Sequence, residues 1–445
     1  MTDYRKFKKE VMDPVSDTFC AAKWLNSTIW LNQGSTASCH HPAMHNIAVD
    51  ALTNNPAALH NTDTKKAARA EMMAGKRPSE CDYCWRVEDT DTTAISDRTF
   101  KTFQFSKFDI DAVVQSPDQN HNPKSLEIAF DRVCNFACSY CSATFSTTWA
   151  RDIKQNGPYK NHTTDDRKHY QTDAPWAQPY LHDDDNPYIT AFWKWWPDLA
   201  NDLDEIRITG GEPLMSTSVW KMFDWFETHP DTSMRLSINT NLGAKDSIIK
   251  QLIDKSKNIS NLSIYTSCEA YGKQAEYIRD GLDYSAWLNN MNLIGETSNI
   301  SLNVMMTINA LCLFSITDFL DDLCILKSKF GKSRVLFSVN IMRYPQFQSI
   351  DVLPDDFKQL KSTEIQAWLD NNSQHLVDFE RSHVERLIKQ LQIVNKYDRT
   401  DLIHDFKSFF SEYDIRRGKS LETVFPLIGT VINDNDNKNN IGFME

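Results

Sequence analysis

The chain has 445 residues, 41% of them apolar and 24% charged, with a net charge of −12. This is ordinary composition for a folded soluble protein, and the length predicts two or three domains. The acidic balance argues against a surface that tracks nucleic-acid phosphates. No run approaches the roughly 18 apolar residues of a membrane span, and the opening MTDYRKFKKEVMDP lacks an apolar signal region. A cytoplasmic protein with neither membrane nor nucleic-acid partners is therefore expected.

The first 115 residues show no strand–helix rhythm and carry four of the ten cysteines, so a separate module is expected over 1–115. From 116 to 345, strand-like and helix-like patterns alternate. The strand candidates are SLEIAFDRV (125–133), DEIRITGG (204–211), SMRLSINTN (233–241), NLSIYTSCE (261–269), ISLNVMMTIN (300–309) and SRVLFSVNI (333–341), most of them rich in β-branched or other apolar residues. Helical patterns fill the gaps. Ile316, Phe319, Leu320 and Leu323 recur at i, i+3, i+4 and i+7, one face of a helix. STSVWKMFDWFETH (216–229), with Ser216 or Ser218 as its cap, and KDSIIKQLIDKSK (245–257) behave similarly.

Residues 151–200 interrupt this rhythm. Their Phe192, Trp195, Trp196 and Leu199 lie at helical spacing and predict a packing face. His162, His169, His182 and the acidic run 183–185 predict a solvated lid rather than a metal site. From 346 to 445 the chain reads as a helical cap ending in the polar NDNDNKNN. Six strand–helix units imply a parallel sheet with helices outside and right-handed crossovers. They are too few for a closed eightfold barrel, so the predicted fold is α/β, a partial (β/α)6 TIM-like barrel with function at the C-terminal strand ends.

The first of those strands runs directly into DRVCNFACSYCSATF, which puts Cys134, Cys138 and Cys141 within eight residues. Clustered cysteines in a reducing compartment favour metal ligation over disulfides. Soft thiolates suit iron–sulfur clusters, and a cubane has one more iron than this loop has cysteines. The remaining iron would be open to a substrate or cofactor. Zinc is the rival, although structural zinc closes four ligands.

The spacing CxxxCxxC after a first barrel strand resembles the radical S-adenosylmethionine (SAM) superfamily. The next strand ends in ITGGEPL, where that family carries GGEP. The resemblance implies a [4Fe–4S] cluster on Cys134, Cys138 and Cys141 and SAM on its open iron. It places Tyr140 beside the adenine, Gly210 and Gly211 at a close backbone approach, and the Glu212 carboxylate on the SAM ammonium. By the same resemblance Ser267 contacts the ribose and Arg279 pairs the SAM carboxylate. Asn239 or Asn241 could also meet the ligand. The implied activity is reductive cleavage of SAM to a 5′-deoxyadenosyl radical, which abstracts hydrogen from a small-molecule or peptide substrate. An electron donor such as flavodoxin or ferredoxin is implied too.

Cys20, Cys39, Cys81 and Cys84 form a second set. The order C…W…G…C followed by G-K-x-P-x-x-C-x-x-C resembles the auxiliary-cluster modules called SPASM and twitch. It implies an auxiliary [4Fe–4S] cluster, with structural zinc as the rival. His40, His41 and His45 are expected to cap or face solvent rather than ligate. Cys268, Cys312 and Cys324 are expected in the core. The segments 343–354 and 413–429 also resemble twitch-type proteins, without assignable chemistry. Two further classes stay open: a zinc-stabilised binding protein, and an iron–sulfur electron carrier that does not use SAM.

Overall fold

The computed structural model describes residues 3–91, 93–180, 182–297, 300–396 and 398–433. The polar tail from 434 onward lies outside the described residues. In chain order the strands are β1 (Asn26–Trp30), β2 (Ser35–Ala37), β3 (His45–Asn46), β4 (Ser125–Ala129), β5 (Ala137–Cys138), β6 (Glu205–Thr209), β7 (Arg235–Thr240), β8 (Leu262–Ser267), β9 (Arg279–Asp280), β10 (Ile300–Ile308) and β11 (Val335–Ile341). The fold is mixed α/β and its long strands are parallel. All six strands expected between 116 and 345 are present.

The chain forms two compact units, residues 1–132 with 175–238, and residues 133–174 with 239–445. In the first unit β1, β4, β6 and β7 are successive parallel neighbours, with Ile29 opposite Ile128, Ile128 opposite Ile208, and Ile208 opposite Ile238. β2 and β3 continue from β1 as antiparallel strands. This division differs from the separate module expected over 1–115: β1 adds a parallel strand beside β4, so the N-terminal segment shares a sheet with the first expected barrel strand. The helix Pro187–Leu199 is capped by the Asn186 side chain, which accepts from the Tyr188 and Ile189 amides. It buries Phe192, Trp195, Trp196 and Leu199, the packing face expected. Ser216 stands at the N-cap of the helix Thr217–Thr228 but makes no capping bond. The Ser218 hydroxyl instead donates to Asp183 at 2.7 Å, so the acidic run is tied down rather than wholly solvated.

In the second unit β8, β10 and β11 are parallel, with Leu302 opposite both Ile264 and Val335. Burial alternates strictly along β10, the period of a strand with one face in the core. The helix Ile316–Phe330 buries Ile316, Phe319, Leu320 and Leu323 as its spacing predicts. Three long helices follow, Asp355–Asn372, Asp378–Leu391 and Thr400–Arg417. The expected solvated lid is partly interior here. His162 is half-buried, with its ring stacked on Phe347, and Asp165 is buried and bonded to His169.

Candidate metal centres and cofactor site

In the second unit, the loop that follows β4 is folded back on itself. The Cys141 amide donates to the Cys138 carbonyl at 2.9 Å, a tight turn between the second and third cysteines. Thr148 donates to the Cys134 carbonyl at 2.6 Å, and the Trp149 indole donates to the Cys138 carbonyl at 2.9 Å. Cys138 is buried, and Cys134 and Cys141 are half-buried. Burial pushes the Cys138 thiol up, and Arg279 beside it acts in the opposite direction. Cys141 is raised further, first by burial and then by the negative charge that Cys138 and Cys134 would carry nearby. The three sulfurs therefore sense one another, and binding a metal would release their protons.

Cys138 pairs with Arg279 across the short antiparallel pair β5 and β9. The Arg279 guanidinium, 5% exposed, reaches the Cys138 sulfur at 3.6 Å. Its other N–H groups hold Glu269 at 2.7 and 3.0 Å and contact the Tyr140 hydroxyl, which in turn donates to Glu269 at 3.0 Å. The sequence reading pairs Arg279 with the SAM carboxylate; the structure gives it an internal carboxylate, Glu269. Tyr140 is likewise engaged at its hydroxyl, leaving its ring as the surface it can offer an adenine. Ser267 ends β8 half-buried. Asn241 lies 4.0 Å from the Cys134 sulfur and donates to Asn135 at 2.8 Å. The Asn239 carboxamide oxygen is buried with no hydrogen-bond partner, a position that suits a ligand donor.

Residues without assigned chemistry in the sequence support this loop. Gln348, 2% exposed, donates to the Ser139 carbonyl and accepts from the Ser139 hydroxyl, both at 3.0 Å. The Tyr413 hydroxyl donates to the Ala137 carbonyl at 3.3 Å. The segments 343–354 and 413–429 thus hold the backbone on either side of Cys138. Cys268 and Cys312 are fully buried and Cys324 nearly so, the core positions expected.

In the first unit, the turn after β6 carries Gly210, Gly211 and Glu212. Gly210 has φ +123°, and a Cβ there would stand 2.6 Å from the Asp131 carbonyl oxygen. Its requirement for glycine thus has a cause inside the chain itself. Gly210→Ala is expected to destabilise the protein by about 2 kcal/mol through backbone strain and this contact, measurable by urea unfolding. Gly211 donates its amide to the same carbonyl at 3.3 Å. Glu212 is 1% exposed, and one of its carboxylate oxygens accepts from the Leu214 amide at 3.0 Å. Capping this turn fixes the carboxylate's direction.

Cys20, Cys39, Cys81 and Cys84 line one cavity in the first unit, with Lys23, His41, Asp97 and Arg98 among its other walls. Burial pushes the Cys81 thiol up to about 12 and Cys84 to about 11, and the charge of Cys20 contributes to both. Among the described residues, the His, Cys, Asp and Glu side chains that gather three ligand atoms within 4.8 Å of one another are His40, His41 and Asp97. No trio of cysteine sulfurs is so close. A tetrahedral zinc with bonds of about 2.3 Å holds its sulfurs about 3.8 Å apart, whereas ligands on separate irons of a cluster stand farther apart. By donor chemistry, four cysteines lining one cavity suit either a cluster or zinc. Without a metal, His41 is bonded to Asp97 at 2.7 Å and stacked on Tyr83.

No protein-family model and no curated protein matches the sequence. Among solved structures, the chain is similar to native anSMEcpe with bound AdoMet, at 15% identity over 57% of this chain and 64% of that one, with a TM-score of 0.37. It is similar to Streptococcus suis SuiB bound to S-adenosylmethionine, at 11% identity over 79% and 69% of the two chains, TM-score 0.36. SuiB bound to precursor peptide SuiA matches at 12% identity over 86% and 77%, TM-score 0.36. The chain spans 64% of the length of anSMEcpe. At these TM-scores the likeness carries no functional weight, and assignment rests on the chain's own residues. Among the described residues, no helix is long and apolar enough to cross a membrane.

Proposed function

We propose that the chain is a radical SAM enzyme built on a partial barrel, with a SAM-binding [4Fe–4S] cluster on Cys134, Cys138 and Cys141 and an auxiliary cluster on Cys20, Cys39, Cys81 and Cys84. The observation that carries this reading is the three-cysteine loop: Cys134, Cys138 and Cys141 on one hydrogen-bonded, largely buried turn, one thiolate short of a closed cubane. When bound, the cluster and SAM supply a low-potential electron and a 5′-deoxyadenosyl radical able to take hydrogen from an inert C–H bond. The chain's own residues position and insulate. By the resemblance, the Glu212 carboxylate would take the SAM ammonium and Ser267 the ribose. Tyr140 offers its ring to the adenine. Arg279, held by Glu269, donates to the Cys138 sulfur instead of to the SAM carboxylate. Gln348 and Tyr413 keep the loop backbone rigid. The substrate is a peptide or a small molecule, and the electron donor a flavodoxin or ferredoxin.

The test is anaerobic reconstitution followed by metal counting and addition of SAM and dithionite. About eight irons per chain and release of 5′-deoxyadenosine are expected. Zinc without iron would instead favour a zinc-stabilised binding protein, and iron without SAM cleavage an electron carrier. Glu212→Gln keeps the oxygen that caps the turn but removes the charge. It is expected to weaken equilibrium SAM binding about tenfold or more, the size of a charge-assisted bond, with iron content unchanged.

A further inference from the structure

Lys23 is the least expected wall of the N-terminal cysteine cavity. It sits on the short helix Ala22–Leu25, 2% exposed, with its amide bonded to the Cys20 carbonyl at 3.0 Å. Its carbonyl accepts from Arg69 at 2.9 Å, so both sides of its backbone are fixed. The ammonium contacts the Glu80 carboxylate and belongs to the wall of the cavity that Cys81 shares. Salt bridging alone does not call for this position, because Glu80 is 22% exposed at its side chain and could pair with a lysine in solvent. A buried ammonium in the wall of a four-cysteine cavity is instead an arrangement that stabilises added negative charge there.

We propose that Lys23 is a potential-setting residue for the centre held by Cys20, Cys39, Cys81 and Cys84, raising its reduction potential through its positive charge in the cavity wall. The inference rests on the auxiliary-cluster reading above. The couple is a one-electron one: an electron enters the iron–sulfur core, no cysteine bond breaks and no proton moves. The reduced core carries one more negative charge, and the nearby ammonium favours that state more than the oxidised one. A raised potential suits a centre that accepts an electron from a substrate radical or passes one onward, rather than one that reduces SAM.

The test uses the full-length chain with Cys134, Cys138 and Cys141 all changed to alanine, so that only the N-terminal centre remains. It is reconstituted without oxygen and titrated with dithionite while the reduced cluster is followed by electron paramagnetic resonance. Lys23→Met in that chain is expected to move the midpoint to lower potential, and Lys23→Arg to restore it. Glu80→Gln, which removes the negative charge that offsets the ammonium, is expected to raise it. A midpoint unmoved or raised by Lys23→Met overturns the inference while leaving the cluster reading intact. If Lys23→Met does not fold, a midpoint unmoved or lowered by Glu80→Gln overturns it alone. Iron content is measured separately, and a parent chain that holds zinc or no metal overturns the cluster reading and this inference with it.

Discussion

Alanine at Cys134, Cys138 and Cys141 together is expected to abolish 5′-deoxyadenosine formation and to leave about half of the bound iron, roughly four atoms per chain. Removing the three sulfurs removes every protein ligand proposed for the SAM-binding cluster. The loop backbone is held independently by Gln348, Trp149 and Tyr413, so the chain should still fold. The reciprocal substitution, alanine at Cys20, Cys39, Cys81 and Cys84, should remove the other half of the iron and leave SAM cleavage in place. Those four line their own cavity in a different compact unit of the chain. Metal analysis and chromatography of 5′-deoxyadenosine check both. If the first substitution releases all the iron, the N-terminal cysteines do not hold a cluster. If it leaves cleavage intact, the radical SAM reading fails.

What the sequence made legible follows from the range of each interaction. The six strands between 125 and 341 announce themselves because β-branched and apolar residues repeat over short windows, and each was found close to its expected limits. The packing stripe on Pro187–Leu199 is equally local. β1 was missed because Asn-Ser-Thr-Ile-Trp is short and half polar; what makes it a strand is its pairing with β4, about a hundred residues away, which leaves no periodic trace. At the site, the cysteine spacing and GGEP are local words and were readable. The partner of Arg279 was not. Glu269 lies ten residues before it, and only the folding of β9 against β5 brings the Arg279 guanidinium that it holds to Cys138. Gln348 was hidden for the same reason, 209 residues from the serine it holds. The solvated lid was misjudged because composition reports polarity but not enclosure, and His162 is enclosed by aromatic rings from distant segments.

Glu269→Ala is expected to destabilise the protein by about 3–5 kcal/mol, because it leaves the Arg279 guanidinium buried without its carboxylate. Both partners are nearly inaccessible, Glu269 at 1% and Arg279 at 5%, so water cannot replace the lost contact cheaply. Breaking a buried pair is costly, whereas replacing both members with apolar residues of similar size is often neutral. The double change Glu269→Met with Arg279→Met should therefore recover most of the unfolding free energy lost in the single variant. It should not recover function: no guanidinium remains on the Cys138 sulfur and nothing fixes the Tyr140 hydroxyl. Loss of such an outer partner commonly lowers metal affinity or activity tenfold to about a hundredfold. A double variant as stable as the parent, yet at least about tenfold slower in SAM cleavage, would mark the pair as part of the cofactor site. Full activity in that variant would make the buried ion pair a matter of stability alone.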